Sequence, residues 1–340
     1  MTLWLVRCGD GAIEEEVVAQ GIVGIGWGAL GDLTGLPDRD AVKARYMATH
    51  DESGHKLQTN LAQVYGFYAR IQIGDLVALP LKHTPAIAFG RVTGGYHYVP
   101  DAHPFITHQR TVEWINTEVP RSSIDQDLLY SLGAFLTVCK IERHDAEARI
   151  LAVLNGTPIP APAGHEETEV SDIGGSVPFE VDLAQHAKDQ IRAHIEERFQ
   201  SHALSSLVEA VLQAQGYTTK LSPPGPDGGV DVLAGSGRNG FDNPRLAVQV
   251  KSGKQVMDAP SIRDLIGTMQ NFRATHGLFV SWSGFNAGAQ KLARDVFFTV
   301  RLWDSDELIE QIFEHYDKLP DEVRADIPLR RIWTLMPPEE

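Results

Sequence analysis

The sequence predicts two domains: an α+β N-terminal domain built around a small β-barrel, and an α/β C-terminal domain in which helices flank a mixed sheet. With 340 residues the chain is long enough for both. The stretch Asn155–Pro178 combines prolines, glycines and an acidic run and has almost no apolar periodicity, which is typical of a linker. After it, strand patterns alternate with helical ones, as in α/β domains. We therefore predict an N-terminal domain over residues 1–154, a linker over 155–178, a C-terminal domain over 179–318 and a tail over 319–340.

The N-terminal domain is rich in strand patterns. Two short apolar segments, TLWLVRC and GIVGIGW, precede predicted helices over Asp38–His50 and Leu57–Ala69. Three further strands follow, with the sequences GDLVALPL, AIAFGRVTGGYHYV and HQRTVEWI, and glycine pairs and a proline separate them. This succession predicts the antiparallel strands of a small barrel.

The C-terminal domain begins with two predicted helices, Phe179–Gln200 and His202–Gln215, and the second is strongly amphipathic. Two strands follow, GVDVLA and LAVQVK, and then a helix over Pro260–Ala274. Strand HGLFVSW, a helix over Asn286–Asp295, strand FFTVRLW and a helix from Ser305 complete the domain. This order predicts a mixed sheet with helices on its faces.

Composition limits the functional classes. The net charge of −15 argues against a surface covered with phosphate-binding charge, although a local basic face can exist on an acidic protein. Cys8 and Cys139 lie in apolar surroundings without metal-type spacing, so we expect buried, reduced thiols. The first residues do not resemble a signal peptide, and no apolar run is long enough to span a membrane. We expect a cytoplasmic protein.

The pleat of the two strands predicts a polar cluster. In LAVQVK, Gln249 and Lys251 point to the face opposite the valines, and in GVDVLA, Asp231 points away from the valines on either side of it. If the two strands pair as a hairpin, these three side chains meet on one side.

Such a cluster suits metal-assisted phosphodiester hydrolysis. A carboxylate and an amide oxygen are hard ligands of the kind that Mg²⁺ prefers, and Lys251 would orient or deprotonate a water or stabilise charge on phosphorus. An ordinary cross-strand pair of Asp231 and Lys251 on a solvated face fits the same spacing, and Asp227 fits simple turn chemistry.

A resemblance favours the catalytic interpretation. GYTTKLSPPGPDGGVDVLAG followed by VQVKSG resembles the catalytic core of Mrr-type restriction endonucleases, a branch of the PD-(D/E)xK superfamily, over about residues 200–313. The resemblance implies that Asp231 binds the metal, that Gln249 is the second-motif residue and that Lys251 is the catalytic lysine. It also implies that the backbone carbonyl of Val250 is a further metal ligand.

The sequence departs from this family near the start of the amphipathic helix. Many members have a glutamate there that supports the metal site, whereas this chain has Ser205 after Leu204. Glu209 lies one turn further on and is expected to face elsewhere. The departure puts a second metal ion in doubt.

A second resemblance concerns the N-terminal domain. The segment IQIGDLVALPLKHTPAIAFGRVTGGYHYV is similar to the barrel of PUA-like and EVE-type domains, which hold an extruded base between aromatic rings. Our candidates for such rings are Trp27, Tyr96, Tyr98 and Trp114. Packing in the core of a small barrel is the alternative for the two tryptophans, and it is equally compatible with the alternating Tyr96 and Tyr98.

Together these features predict a modification-dependent, type IV-like restriction endonuclease. It would recognise a modified base, with modified cytosine favoured, in foreign DNA such as that of a phage, and would cut double-stranded DNA with Mg²⁺. Because cutting both strands takes two active sites, we expect a homodimer. Two alternatives remain open: a nucleic-acid-binding module with a decayed nuclease core, and a nuclease directed at RNA.

Overall fold

The computed structural model describes residues 2–9, 11–82, 84–134, 136–157, 182–223 and 229–332. The chain divides into two compact units, Met1–Asp189 and Gln190–Glu340, and the division falls within the helix Leu183–Arg198. Most of the predicted linker and the turn residue Asp227 lie outside the described residues.

The first unit contains one six-stranded sheet. Its strands are β1 (Leu3–Val6), β2 (Ile22–Ile25), β3 (Leu76–Pro80), β4 (Ala86–Tyr98), β5 (His108–Pro120) and β6 (Val138–Ile141). Their order in the sheet is β2-β5-β4-β3-β1-β6. The pair β1–β3 is parallel and the other pairs are antiparallel. Its helices are α1 (Gly11–Gln20), α2 (Arg39–Thr49), α3 (Gly54–Tyr65), α4 (Gln126–Leu132) and α5 (Ala146–Leu154).

The predicted closed barrel is not found in the described part of the chain. A barrel closes only when its first and last strands pair, whereas here β2 and β6 stand at opposite ends of the strand order. β1 pairs on one side with β3 and on the other with β6, a short strand that the sequence pattern did not indicate. Register shifts between β4 and β5 mark bulges, which bend a sheet without closing it.

The central strands of this sheet have apolar residues at consecutive positions, because both faces of the sheet pack against hydrophobic clusters. In β1, Trp4 and Val6 join one hydrophobic cluster while Leu3 and Leu5 join another. The predicted helix over Asp38–His50 is confirmed as α2, and the one over Leu57–Ala69 is α3 followed by a π-helical turn, Gly66–Arg70.

The second unit contains the predicted mixed sheet. Its strands are β7 (Thr218–Leu221), β8 (Val232–Ser236), β9 (Asp242–Lys251), β10 (His276–Ser281) and β11 (Val300–Trp303), in the order β11-β10-β9-β8-β7. Strands β9, β10 and β11 are mutually parallel, and β7, β8 and β9 are antiparallel. Helix α6 (Leu183–Arg198) leads into α7 (His202–Ala214), and the remaining helices are α8 (Ala259–Asn271), α9 (Ala287–Asp295), α10 (Ser305–His315) and α11 (Asp321–Asp326).

Two hydrophobic clusters cover the two faces of this sheet. One contains residues of α7 and α10 with Val232, Val248 and Val250, and the other contains residues of α8 and α9 with Ala247 and Phe279. Strand β9 is therefore buried on both faces, and α7 is held against the strands by its apolar face. Helix α10 is capped at its N-terminus, because the Asp304 carboxylate accepts the N–H groups of residues 306 and 307.

The expectations from composition agree with the structure where it describes them. Cys8 and Cys139 are buried free thiols, and burial raises the pKa of each to about 12. Within the described ranges, none of the helices has both the length and the apolar character needed to cross a bilayer.

Candidate active site

Asp231 occupies a bend immediately before β8 and is held by two different elements. Its carboxylate Oδ2 accepts the backbone N–H of Val250 at 2.8 Å, and Oδ1 accepts the hydroxyl of Ser205 at 3.3 Å. Its own N–H donates to the carbonyl of Val248 at 2.8 Å. In a longer β8, a backbone carbonyl would accept the N–H of Val250. Here the Asp231 carboxylate accepts it instead.

The predicted strand alternation around Asp231 is wrong. Regular alternation would place Val230 and Val232 on one face of the sheet, but Val230 packs in the cluster with α8 and Val232 in the cluster with α7. Gly229, at φ 87°, and Ser222, whose hydroxyl donates to the carbonyl of Val230 at 2.6 Å, shape the bend. Because the backbone is not a regular strand here, alternation does not determine where the Asp231 side chain points.

Lys251 and Val250 end strand β9 beside this carboxylate. The carbonyl of Lys251 accepts the N–H of Trp282 at 2.9 Å, on the side of the sheet where β10 lies. Successive residues of a strand direct their backbone polar groups to opposite edges. The N–H and carbonyl of Val250 therefore point toward Asp231, while the Lys251 side chain is exposed.

An open cavity of about 370 Å³ brings these residues together. Its lining includes Asp231, Val250 and Lys251, and the other lining residues are Ser201, His202, Ser205, Ser222, Pro223, Ser252 and Gly253. Among these described residues Asp231 is the one acid. The sequence patterns singled out Ser205 but not the other serines or His202, because residues in turns and at helix ends carry no periodic signal.

Gln249 is placed differently from its two expected partners. It pairs with Phe279 of β10 and is half-buried, and it is not among the residues that line the cavity. Within the described part of the chain its amide has no hydrogen bond. Glu209 faces away from the site, as expected, because its carboxylate accepts the hydroxyl of Thr219 on β7 at 2.9 Å.

In the first unit, Tyr96 and Tyr98 lie on one face of β4 beside His108 of β5. The hydroxyl of Tyr96 lies 2.7 Å from Nδ1 of His108, whose Nε2 lies 3.1 Å from the carbonyl of Trp27. Because a carbonyl only accepts, Nε2 carries the proton and Nδ1 accepts the Tyr96 hydroxyl. Burial lowers the pKa of His108, which favours this neutral form.

The four aromatic candidates are not brought together as one group. Tyr98 contacts the His108 ring, with centroids 5.2 Å apart, and its hydroxyl donates to the carbonyl of Gly28 at 3.3 Å. Trp27 has a left-handed backbone, at φ 61°, and its side chain packs against the hydrophobic cluster that contains Tyr46. Trp114 pairs with Gly90 further along β5, and its indole N–H is buried without a partner among the described residues.

Two family models match the chain, one in each unit. Residues 196–312 match the model Mrr_cat, described as a restriction endonuclease, and residues 4–131 match a domain of unknown function, DUF8426. The first match spans all the residues that line the cavity described above and supports a restriction endonuclease domain in the C-terminal part. The second does not bear on the resemblance to PUA-like domains.

Solved structures show weaker similarity. The modification-dependent restriction endonuclease AspBHI and the restriction endonuclease MspJI in complex with a 27-mer oligonucleotide are each 14% identical, with TM-scores of 0.33. Each covers 82% of this chain, which spans 76% of AspBHI and 70% of MspJI. AF1548, a protein of unknown function, is 18% identical, with a TM-score of 0.25. The match covers 38% of this chain and 78% of the AF1548 chain. Scores in this range do not establish a common fold. No curated protein matches the chain.

Proposed function

We propose that this chain is a Mg²⁺-dependent endodeoxyribonuclease that acts on DNA carrying a modified base. One observation carries the proposal. The Asp231 carboxylate, the backbone of Val250 and the Lys251 ammonium border one cavity, inside the segment that matches the restriction endonuclease family.

The donor atoms at this cavity fit a magnesium ion. The Asp231 carboxylate and the Val250 carbonyl are hard oxygen ligands on the same side of β9, and Mg²⁺ typically uses one or two carboxylates and retains several waters. The described residues contain no cluster of three His, Cys, Asp or Glu side chains suited to a metal, and Asp231 is the one acid that lines the cavity. Gln249 lies outside the cavity lining, and its role as a metal ligand stays a prediction. When bound, the ion supplies positive charge at the reacting phosphate and lowers the pKa of a water.

The residues of this chain then have separate roles. Asp231 holds its position through Val250 and Ser205 and provides negative charge at the end of the sheet. Lys251, exposed at the cavity, orients the attacking water and stabilises the negative charge that develops on the phosphate. His202 borders the same cavity from the first turn of α7.

The first unit would select the target. Tyr96, Tyr98 and His108 form an aromatic group on one sheet face, and stacking contributes about 1–3 kcal/mol per base. That range is comparable with the few kcal/mol needed to extrude a base from a duplex. We propose that a modified cytosine in foreign DNA is recognised there. Of the two tryptophan candidates, Trp27 packs against the same hydrophobic cluster as Tyr96 and would support the wall of this group, whereas Trp114 lies further along β5.

Cleavage of both strands implies two active sites, and we propose that two copies of the chain assemble on DNA. The net charge of −15 means that contacts to phosphates must be local, and because the salt dependence of binding scales with the number of phosphates contacted, that dependence should be shallow.

A substrate panel tests the proposed function. Plain DNA, DNA with modified cytosines and RNA of the same sequence are incubated with the full-length protein in Mg²⁺ and in excess chelator. We expect that the modified DNA is cleaved, that cleavage occurs in Mg²⁺, and that it does not occur in excess chelator. Binding of modified DNA without cleavage by the wild type would indicate the decayed nuclease core, and cleavage of RNA in preference to DNA would indicate the RNA-directed alternative.

A further inference from the structure

We propose that Ser205 is a positioning residue that fixes the Asp231 carboxylate in the orientation that binds the metal ion. This inference rests on the proposed function. It assigns to the serine a role toward the metal, although its hydroxyl is not itself a ligand.

The two oxygens of Asp231 are held from two directions. The N–H of Val250 on β9 donates to Oδ2 at 2.8 Å, and the hydroxyl of Ser205 on α7 donates to Oδ1 at 3.3 Å. Donors from two separate elements together define the plane of the carboxylate. A carboxylate has about four lone-pair sites, so these two bonds do not exhaust its capacity.

The neighbouring serine shows that this use of Ser205 is not ordinary helix chemistry. A serine within a helix commonly bonds back to the carbonyl four residues earlier, and Ser206 does so, donating to the carbonyl of His202 at 3.3 Å. Ser205 instead donates across to Asp231, although it is only 2% exposed. A buried hydroxyl needs a hydrogen-bond partner, and here that partner is the acid of the cavity.

The start of α7 is itself anchored to the site. Ser201, just before the helix, has a strained backbone at φ 52° and ψ −121°, and its N–H donates to the hydroxyl of Ser252 at 3.1 Å. Ser252 directly follows Lys251. The first turn of α7 is thereby tied to the end of β9, which keeps the Ser205 hydroxyl at a fixed position relative to Asp231 and Lys251.

Groups that orient metal ligands typically change metal affinity by 10–100-fold when they are removed. We therefore expect Ser205→Ala to weaken the binding of Mn²⁺, used as the probe, roughly 10-fold, near the lower end because the bond is long. The rate constant kcat should fall with it, while KM for DNA stays within about twofold. Alanine is the best helix former, so α7 should remain intact.

The experiment measures Mn²⁺ affinity by titration calorimetry on the full-length protein, with thermal melting recorded for each variant. Ser206→Ala is the matched control, since it removes a hydroxyl from the next position of the same helix without touching Asp231, and it should bind Mn²⁺ as the wild type does. Should Ser205→Ala not fold, Ser205→Cys is tested instead, because it keeps a side-chain group at this position but replaces the hydroxyl with a weak donor.

The outcomes separate this inference from the proposed function. Loss of Mn²⁺ binding in Asp231→Asn together with unchanged affinity in both Ser205 variants would overturn the positioning role and leave the metal site in place. Equal Mn²⁺ binding in the wild type and Asp231→Asn would remove the metal site, and with it both proposals.

Discussion

The backbone N–H of Val250 donates a 2.8 Å hydrogen bond to the carboxylate of Asp231, so the acid of the cavity is fixed by the strand that ends in Lys251. Asp231 lies just before β8, where the ladder with β9 has not yet begun, and its side chain continues the pairing in place of backbone. The distance between the acid and the lysine therefore depends on main-chain geometry. Changes to the Lys251 side chain should leave Asp231 where it is.

The neutral Gln249 offers a test by added charge. It lies two residues before Lys251 on the same strand, and an ionised carboxylate there attracts a divalent cation more strongly than an amide does. We predict that Gln249→Glu lowers the Mg²⁺ concentration needed for half-maximal cleavage by roughly 3-fold or more, the order of magnitude expected for one added charge. Gln249→Ala should raise this concentration. If the Mg²⁺ concentration for half-maximal cleavage is the same in both variants, the side chain is not part of the metal site.

Tyr98 is predicted to contribute a ring to base recognition. Tyr98→Ala should weaken the binding of modified DNA by about 1–3 kcal/mol, the value of one stacked base, while Tyr98→Phe keeps the ring and should retain most of the affinity. Equilibrium binding of modified DNA to each variant gives both numbers. If the alanine variant binds modified DNA as tightly as the wild type, this residue has no part in holding the base.

His108 should make the first unit sensitive to acid. Burial lowers its pKa in the folded protein below the ordinary value, so the unfolded chain binds the proton more readily. Its contribution to stability is therefore present above the ordinary histidine pKa of about 6.5 and is lost as the pH falls through that value toward the lower folded pKa. We predict that the melting temperature of the wild type falls as the pH is lowered through this window. The melting temperature of His108→Gln should fall less steeply. Parallel curves for the two proteins would contradict this assignment.

The sequence predicted the parts of the fold that local pattern controls. The amphipathic face of α7, the cap at Asp304 and the mixed sheet of the second unit all follow from periodicity and capping chemistry. The strand order of the first sheet could not be predicted in this way. The choice of neighbouring strands depends on contacts between residues far apart in the chain, such as those of β1 with β3.

The residues of the candidate site were predicted from the sequence, and their roles stay predictions, whereas their geometry depends on the fold. Asp231, Val250 and Lys251 do border one cavity, but the bend at Asp231 invalidates the simple alternation used to place its side chain. Gln249 follows the alternation and yet stays outside the cavity lining. His108 had no recognisable motif at all, since its role depends on Tyr96 and on a carbonyl from a distant turn.

The measurement that tests the central claim most directly is nicking of a modified plasmid by Lys251→Ala beside the matched variant Lys220→Ala. Both lysines are exposed, so each variant should keep its stability within about 0.5 kcal/mol, and only the first borders the cavity. We predict that Lys251→Ala loses at least about 100-fold in Mg²⁺-dependent cleavage, the scale of one electrostatic catalytic group, and that Lys220→Ala cleaves as the wild type does. Equal cleavage by all three proteins would contradict the assignment of this cavity as the nuclease active site.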